Sequence, residues 1–303
     1  QLGSQHCPSR IEVLKHKGHS LVLRLWVDGG SVIAKRTKAA MVTLEQKIYE
    51  RILKTLPVST LRCYGSVEDE NPGRRWLFLE DAGDEKCSFR IPEHRDLASR
   101  WLADMHISAS NPEFKSLLPD CSPPRYFAYL QNARVGVRNA RTNSVLRPDD
   151  IELLDQVLQQ LDIVESRWTE IAALAARFPG TLTHGDFVKK NLRIRAPHVL
   201  LPLDWETAGW ASAATDLCGG VDLWIYWSVA RQAWRGISFH DLERLVEQGR
   251  IFGLLAAIEW ASRSLPFQWV ERPMANMRLY QTQLAECVAR TGWESWTGLR
   301  RGW

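Results

Sequence analysis

The hydrophobic pattern of this chain changes period once, near residue 82, and that change limits the architectures open to it. Before it, Ile11 to Leu14, Leu21 to Val27 and Val32 to Ala34 are short, β-branched and partly alternating. The breaks between them, Lys17-Gly18-His19-Ser20 and Asp28-Gly29-Gly30, carry turn chemistry. Three antiparallel strands joined by tight turns are expected. Thr43 to Leu53 then sets Leu44, Ile48, Ile52 and Leu53 on one face at helical spacing, with Thr43 as the expected cap. Arg62 to Val67 and Arg75 to Leu79 read as two more strands around the turn-rich Glu68 to Gly73. The result is a five-stranded sheet carrying one helix.

Past Glu80-Asp81-Ala82-Gly83-Asp84 the period becomes helical in Leu97 to Ile107, Arg125 to Ala133, Asp149 to Arg177, Leu217 to Trp234, Leu242 to Arg263 and Met274 to Thr291. Arg134 to Arg147 is basic and poorly periodic, and reads as a mobile surface connection. The expected fold class is α+β, with residues 1–82 forming a small antiparallel-sheet lobe and residues 83–303 a larger, mainly helical one.

Bulk chemistry narrows the function classes. At 303 residues and 45% hydrophobic content the chain can bury a large core. Its 39 basic and 35 acidic residues leave a net charge of +4, too balanced for wholesale binding of nucleic acid or membrane. The six cysteines form no C-x-x-C pair and no zinc spacing, so reduced thiols are expected. No apolar run approaches a bilayer span, and a cytoplasmic protein is the default reading. Fourteen tryptophans, most of them in the second half, call for an aromatic core, a flat-faced pocket or both.

The chemistry-bearing stretch is Leu182-Thr-His-Gly-Asp-Phe-Val-Lys-Lys-Asn191, in which His184, Asp186 and Asn191 stand at H-x-D-x-x-x-x-N spacing. Asp204 follows thirteen residues after Asn191, behind the apolar Val199 to Leu203. Phosphoryl transfer from a nucleotide needs a carboxylate to orient the attacking hydroxyl, and oxygen ligands that hold magnesium on the phosphates. Asp186 would accept the substrate proton, and Asn191 and Asp204 would ligate the metal. A strand-borne lysine should meet the α- and β-phosphates, steadied by a helix carboxylate. Lys35 ends Val32-Ile33-Ala34-Lys35, and Glu45 lies in the following helix with Glu50 as a fallback. Taken singly, an Asp or Asn between strands is a turn former. Lysine, glutamate, Asp/Asn and Asp in this order are the arrangement of the protein-kinase fold.

"THGDFVKKN" together with "LPLDWETAGW…TDL" resembles the aminoglycoside phosphotransferase and choline kinase group of kinase-like small-molecule phosphotransferases, whose loop reads H-G-D. "LEQKIYERIL" is similar to the group's lysine-partner helix, "LFLEDAG" to its hinge and "LASRWLADMH" to the helix that follows. The resemblance spans roughly residues 11 to 235. It implies a protein-kinase-like, two-lobed fold with Asp186 as catalytic aspartate, Asn191 and Asp204 on magnesium, Lys35 on the phosphates and Glu45 paired with Lys35. It further implies that backbone groups of Glu80, Asp81 and Ala82 meet the base, while His184 and Asp216 brace the catalytic loop. The turn between the first two strands holds only Gly18, which leaves the phosphate lid undefined.

The expected activity is transfer of the γ-phosphate of ATP or GTP, with magnesium, to a hydroxyl of a small molecule: aminoglycoside-like, choline-like, or a sugar or amino alcohol. A choline-like cation would call for an aromatic box, for which Trp205, Trp210, Trp224, Tyr226 and Trp227 are the candidates, although rings at helical spacing usually serve the core. Glu206, two residues past Asp204, points to the same side of an extended segment and is a further candidate. Lys189 and Lys190 have no role assignable by position. A protein kinase is disfavoured because no activation segment follows Asp204, and a non-catalytic pseudokinase-type scaffold need not keep all five polar residues.

Overall fold

A computed structural model of the chain describes residues 7–293 apart from His19, Asp28 and Pro197. The described residues divide into two compact units, one within 1–119, 181–209 and 219–233, the other within 120–180, 210–218 and 234–303. The expected change of pattern near residue 82 falls just past the last strand of the sheet, inside the first unit rather than at its edge.

In the first unit, β1 (Arg10–Lys17), β2 (Ser20–Val27), β3 (Gly30–Lys38), β4 (Cys63–Glu68) and β5 (Arg74–Glu80) form one antiparallel sheet in the order β1-β2-β3-β5-β4. All five expected strands are present. The turn residues His19 and Asp28 lie outside the described residues. β3 is central, and its alternation sorts two jobs onto two faces: Val32 and Ala34 are buried on one, while Ile33, Lys35 and Thr37 line a cavity on the other. Register sets Val22 of β2 opposite Lys35 and Arg24 opposite Ile33, so β2 adds its polar Arg24 to the cavity wall.

The helix after β3, α1 (Ala39–Lys47), starts four residues before the expected cap and passes into a wider turn, Ile48–Ile52. Thr43 is therefore interior, and its hydroxyl donates to the Ala39 carbonyl at 2.9 Å in place of capping. Most of the expected apolar face holds: Ile48, Ile52 and Leu53 are buried, and Leu44 is half-buried. On the same side Glu45 is fully buried, a position a carboxylate keeps only with a partner.

The rest of this unit is α2 (Pro92–Ser108), with α7 (Leu223–Ala230) packed against it, and the short strands β6 (Thr181–Thr183), β7 (Leu192–Arg195) and β8 (Val199–Pro202). His106 on α2 and the Tyr226 hydroxyl on α7 are 2.9 Å apart and both fully buried, so each satisfies the other. The antiparallel β7–β8 pair sets Leu192 opposite Pro202 and so holds Asn191 and Leu203 at adjacent strand ends. The Leu203 N–H donates to the Asn191 carbonyl at 2.8 Å.

The second unit is helical: α3 (Pro123–Ala140), α4 (Pro148–Ser166), α5 (Trp168–Ala176), α6 (Ala214–Leu217), α8 (Phe239–Ser262) and α9 (Glu271–Thr291). The helix expected over Asp149 to Arg177 is two, because the chain breaks at Arg167 and restarts at Trp168. The first half of the expected mobile connection, Arg134 to Ala140, is ordered helix, and only the second half is a connection. Val137 and Ala140 are buried in α3, and Arg134 reaches Asp162 at 2.8 Å, so its charge is paired rather than solvated. Helical period was masked there by arginines whose stems pack while their heads pair.

One glycine in this unit is forced by close approach. A Cβ at Gly249 of α8 would lie 1.9 Å from the Ala214 carbonyl oxygen of α6, a backbone atom that cannot swing aside. Gly249→Ala is expected to lower unfolding stability by about 3 kcal/mol, the upper part of the overpacking range. Equilibrium urea unfolding with an unchanged slope measures it, and a loss below about 0.5 kcal/mol would contradict the packing described.

Candidate active site

Lys35 sits at the centre of the polar constellation. Its Nζ lies 2.8 Å from Glu45 Oε2 and 3.6 Å from Glu206 Oε2, and it also donates to Asp204 Oδ1. Lys35 is 8% exposed and Glu45 is fully buried, so this is an ion pair inside the protein rather than at its surface. Burial alone would lower the lysine's pKa, but the Glu45 and Asp204 carboxylates override it and hold the ammonium above its ordinary value. For Asp204 burial works upward, yet Lys35 outweighs it and keeps the carboxylate below its usual range. The Trp205 N–H adds a longer donation to Glu45 Oε1, at 3.4 Å. Glu50, the fallback partner, instead accepts from Gln46 on the exposed side of the helix at 2.9 Å.

Asp204 takes up this position with φ 67° and ψ 61°, in the left-handed region. A non-glycine residue there costs on the order of 1 kcal/mol, least for Asn and Asp, and such outliers gather at functional sites. The turn aims the Asp204 carboxylate at Lys35.

Asp186 and Asn191 form a second, adjoining set. The Asn191 amide donates one hydrogen to the Asp186 carbonyl at 3.0 Å and the other to Asp186 Oδ2 at 2.9 Å. With both hydrogens engaged, the polar atom left on the Asn191 side chain is the acceptor Oδ1. Lys190 Nζ approaches the same Asp186 Oδ2 to 2.7 Å. His184 accepts from the Asp186 N–H at Nδ1, 3.3 Å, which leaves Nε2–H to donate to the Leu203 carbonyl at 2.9 Å. The histidine thus ties the loop carrying Asp186 to the segment carrying Asp204. Its ring lies 4.5 Å from that of Trp205, and Phe187 stacks on Trp101 at 5.9 Å with 13° between planes, so the loop rests on aromatic rings. Gly185 turns with φ 78°, and a Cβ there would meet the Thr207 carbonyl at 2.7 Å; both facts require glycine in H-G-D. Asp216 lies fully buried in α6 of the second unit.

Lys35, Glu45, Glu80, Asp81, Ala82, Lys190, Asn191, Asp204 and Glu206 are among the residues that line one cavity of about 600 Å³, and Asp186 stands beside it, bonded to Asn191 and Lys190. The cavity is large enough for a nucleotide-sized ligand. The side chains of Glu80 and Asp81 are committed to the protein. Glu80 accepts from Arg195 Nη1 at 2.7 Å and from the Arg62 N–H at 3.0 Å. Asp81 accepts from Arg24 Nε at 2.6 Å, Ser31 Oγ at 2.7 Å and the Gly83 N–H at 2.9 Å. Backbone groups of the segment are partly engaged as well: the Asp81 carbonyl accepts from Arg195 Nη2 and the Glu80 N–H donates to the Arg62 carbonyl, each at 2.8 Å.

One feature escaped sequence reasoning. Arg24, held above its ordinary pKa by hydrogen bonds to Asp84 and Asp81, crosses from β2 to the segment after β5, and its only sequence signal is a charge inside an apolar strand. Of the two lysines left without a role by position, Lys190 is the one that meets Asp186. The aromatic box does not assemble from the expected rings: Trp205 and Tyr226 are fully buried core residues, while Trp224 is exposed and packs on Trp227 at 5.3 Å. Among the described residues no group of three or more His, Cys, Asp or Glu could hold a metal unaided. The donor set still suits magnesium, because that ion takes one or two protein oxygens and completes its shell with waters and phosphates. The Asp204 carboxylate and Asn191 Oδ1 are such oxygens.

A family model described as the phosphotransferase enzyme family, APH, matches residues 10–257. The chain belongs to that family. It is a small-molecule kinase with the protein-kinase-like fold. Among solved structures, a spectinomycin phosphotransferase in complex with ADP and spectinomycin is 10% identical with a TM-score of 0.64, over 95% of this chain and 95% of that one. An APH enzyme in its GDP and kanamycin complex is 11% identical with a TM-score of 0.65, over 92% and 94%. An aminoglycoside phosphotransferase from Alicyclobacillus acidocaldarius is 14% identical with a TM-score of 0.56, over 95% and 93%. No curated protein matches the chain significantly.

Proposed function

We propose that this kinase moves the γ-phosphoryl group of ATP or GTP, with magnesium, onto a hydroxyl of a small molecule. The observation that carries the reading is the convergence on one cavity of Lys35, paired with buried Glu45, and of Asn191 and Asp204, with Asp186 held beside it by its bond to Asn191. Lys35 would steady the α- and β-phosphates, and the backbone of Glu80 to Ala82 would meet the base. Asn191 Oδ1 and the Asp204 carboxylate would hold magnesium, which when bound neutralises phosphate charge. Glu206 adds a carboxylate beside that pair.

Asp186 has the remaining task. Its carboxylate aligns the acceptor hydroxyl and takes the proton as the new oxygen–phosphorus bond forms and the bond to the β-phosphate oxygen breaks, leaving the nucleoside diphosphate. Catalysis here is positioning and charge neutralisation.

Two of the solved neighbours hold spectinomycin and kanamycin, which supports aminoglycosides as the first acceptors to test. Burial of Trp205 and Tyr226 removes two rings from any choline box and argues against that class. All six cysteines are free thiols, which supports a reducing compartment such as the cytoplasm. Among the described residues no helix is long and apolar enough to cross a membrane.

The test is nucleotide consumption with magnesium and ATP or GTP against aminoglycosides, choline-like amines, sugars and amino alcohols. Turnover that starts on adding one acceptor class and stops on chelating the metal is expected. Tight nucleotide binding with no turnover in any mixture would support the scaffold instead.

A further inference from the structure

Lys190 stands in the most consequential place left unexplained by the family assignment. Its ammonium lies 2.7 Å from Asp186 Oδ2, the same oxygen that accepts from the Asn191 amide at 2.9 Å. An acceptor hydroxyl must also reach the Asp186 carboxylate, so an ammonium fixed there would compete with the substrate for the base. The side chain is not fixed. It is 66% exposed, it springs from the single turn Lys189–Asn191, and an ion pair so exposed is weakly held. It also lines the nucleotide cavity together with Lys35, Asn191 and Asp204. A transferable phosphoryl group carries roughly two negative charges against the single charge of a carboxylate, and offers three acceptor oxygens. A flexible ammonium at the border of both sites will therefore favour the phosphoryl group.

We propose that Lys190 is a further catalytic residue: it pairs with Asp186 as seen here and transfers to the γ-phosphoryl oxygens when nucleotide binds. The move does two things at once. It releases Asp186 Oδ2 to take the acceptor's proton, and it places a positive charge on the oxygens of the group in flight. The balance of the reaction is unchanged: the acceptor oxygen bonds to the γ-phosphorus, the bond to the β-phosphate oxygen breaks, the proton goes to Asp186, and Lys190 keeps its own protons throughout. Lys189, exposed and outside the cavity lining, has no such part.

The inference rests on the nucleotide reading of the cavity, so its test needs no acceptor and separates the two. Calorimetric titration of wild type, Lys190→Met, Lys190→Arg and Lys189→Met with ADP and with a non-hydrolysable ATP analogue, both with magnesium, gives the affinity ratio that reports the γ-phosphate contact. Wild type and Lys189→Met are expected to share one ratio in favour of the analogue. Lys190→Met should lower it roughly 10-fold through loss of a charge-assisted hydrogen bond, with ADP affinity retained as proof of folding. Lys190→Arg should recover most of it. An unchanged ratio in Lys190→Met, or an equal fall in Lys189→Met, would overturn the assignment of Lys190. Failure of wild type to bind either nucleotide would instead bring down the reading of the cavity itself.

Discussion

Asp186→Ala is expected to lower kcat by about 10³-fold or more, with nucleotide affinity largely retained. The carboxylate touches no phosphate-binding group except through Asn191 and Lys190, and its neighbours Lys35, Glu45 and Asp204 keep their own bonds when it is removed. What disappears is the group that aligns the attacking hydroxyl and receives its proton, an interaction used in the transition state and not in nucleotide binding. Such a loss falls on kcat and kcat/KM together. Asp186→Asn is the sharper variant. It keeps shape, and its carbonyl oxygen can still accept from the Asn191 amide, but it carries no charge and cannot take a proton. Initial rates of nucleotide consumption with a saturating acceptor, beside nucleotide binding by calorimetry, measure both quantities. Wild-type kcat in either variant would remove Asp186 from the chemistry.

Much of this site was legible because the residue types are tied to spacing rather than to tertiary context. Asp186 and Asn191 share one short loop, and the apolar Val199 to Leu203 announced the strand that brings Asp204 beside it. Lys35 and Glu45 were legible as strand and following helix, although Lys35 is not the strand end it was read as, since β3 runs on to Lys38, and the helix begins at Ala39 with Thr43 bonding backward instead of capping. Long-range polar pairing left no such trace. Arg24 meets Asp81 and Asp84 across 57 and 60 residues, and Arg195 meets Glu80 across 115. Each of these arginines reads in the sequence as a solvated strand charge. Arg134 misled in the same manner, since its partners Asp162 and Glu165 lie on another helix. The aromatic box failed for the opposite reason: rings close in sequence, Trp205 and Tyr226 among them, were drawn into the core because burial of so much apolar area outweighs recognition.

The pair at Lys35 makes a second, independent test, because removing its cation should harm folding as well as turnover. Lys35→Met keeps the side chain's length and leaves fully buried Glu45 and mostly enclosed Asp204 facing the same empty place without a counter-charge. Breaking a buried pair from one side costs about 3–5 kcal/mol, since the remaining charge is desolvated and unpaired. The sign of its pH dependence follows from the two carboxylates. In the wild type Asp204 is held below its ordinary value, so its contribution is present above the unfolded value of about 3.9 and is lost as pH falls through the folded one. Burial pushes Glu45 up, and Lys35 is what pulls it back. Without the lysine Glu45 rises further, and a group raised on folding contributes fully below its unfolded value of about 4.3 and loses that contribution as pH rises through the folded value. Between pH 7 and pH 5 Asp204 of the wild type stays ionised and its contribution is unchanged, whereas acid relieves the variant's further-raised Glu45 more than the wild type's, and the two stabilities converge. Urea unfolding of both proteins at pH 7 and pH 5 should show the gap narrowing. A gap that stays constant across that interval would mean that Glu45 is not left as an uncompensated charge, and that Lys35 is anchored by something other than this carboxylate.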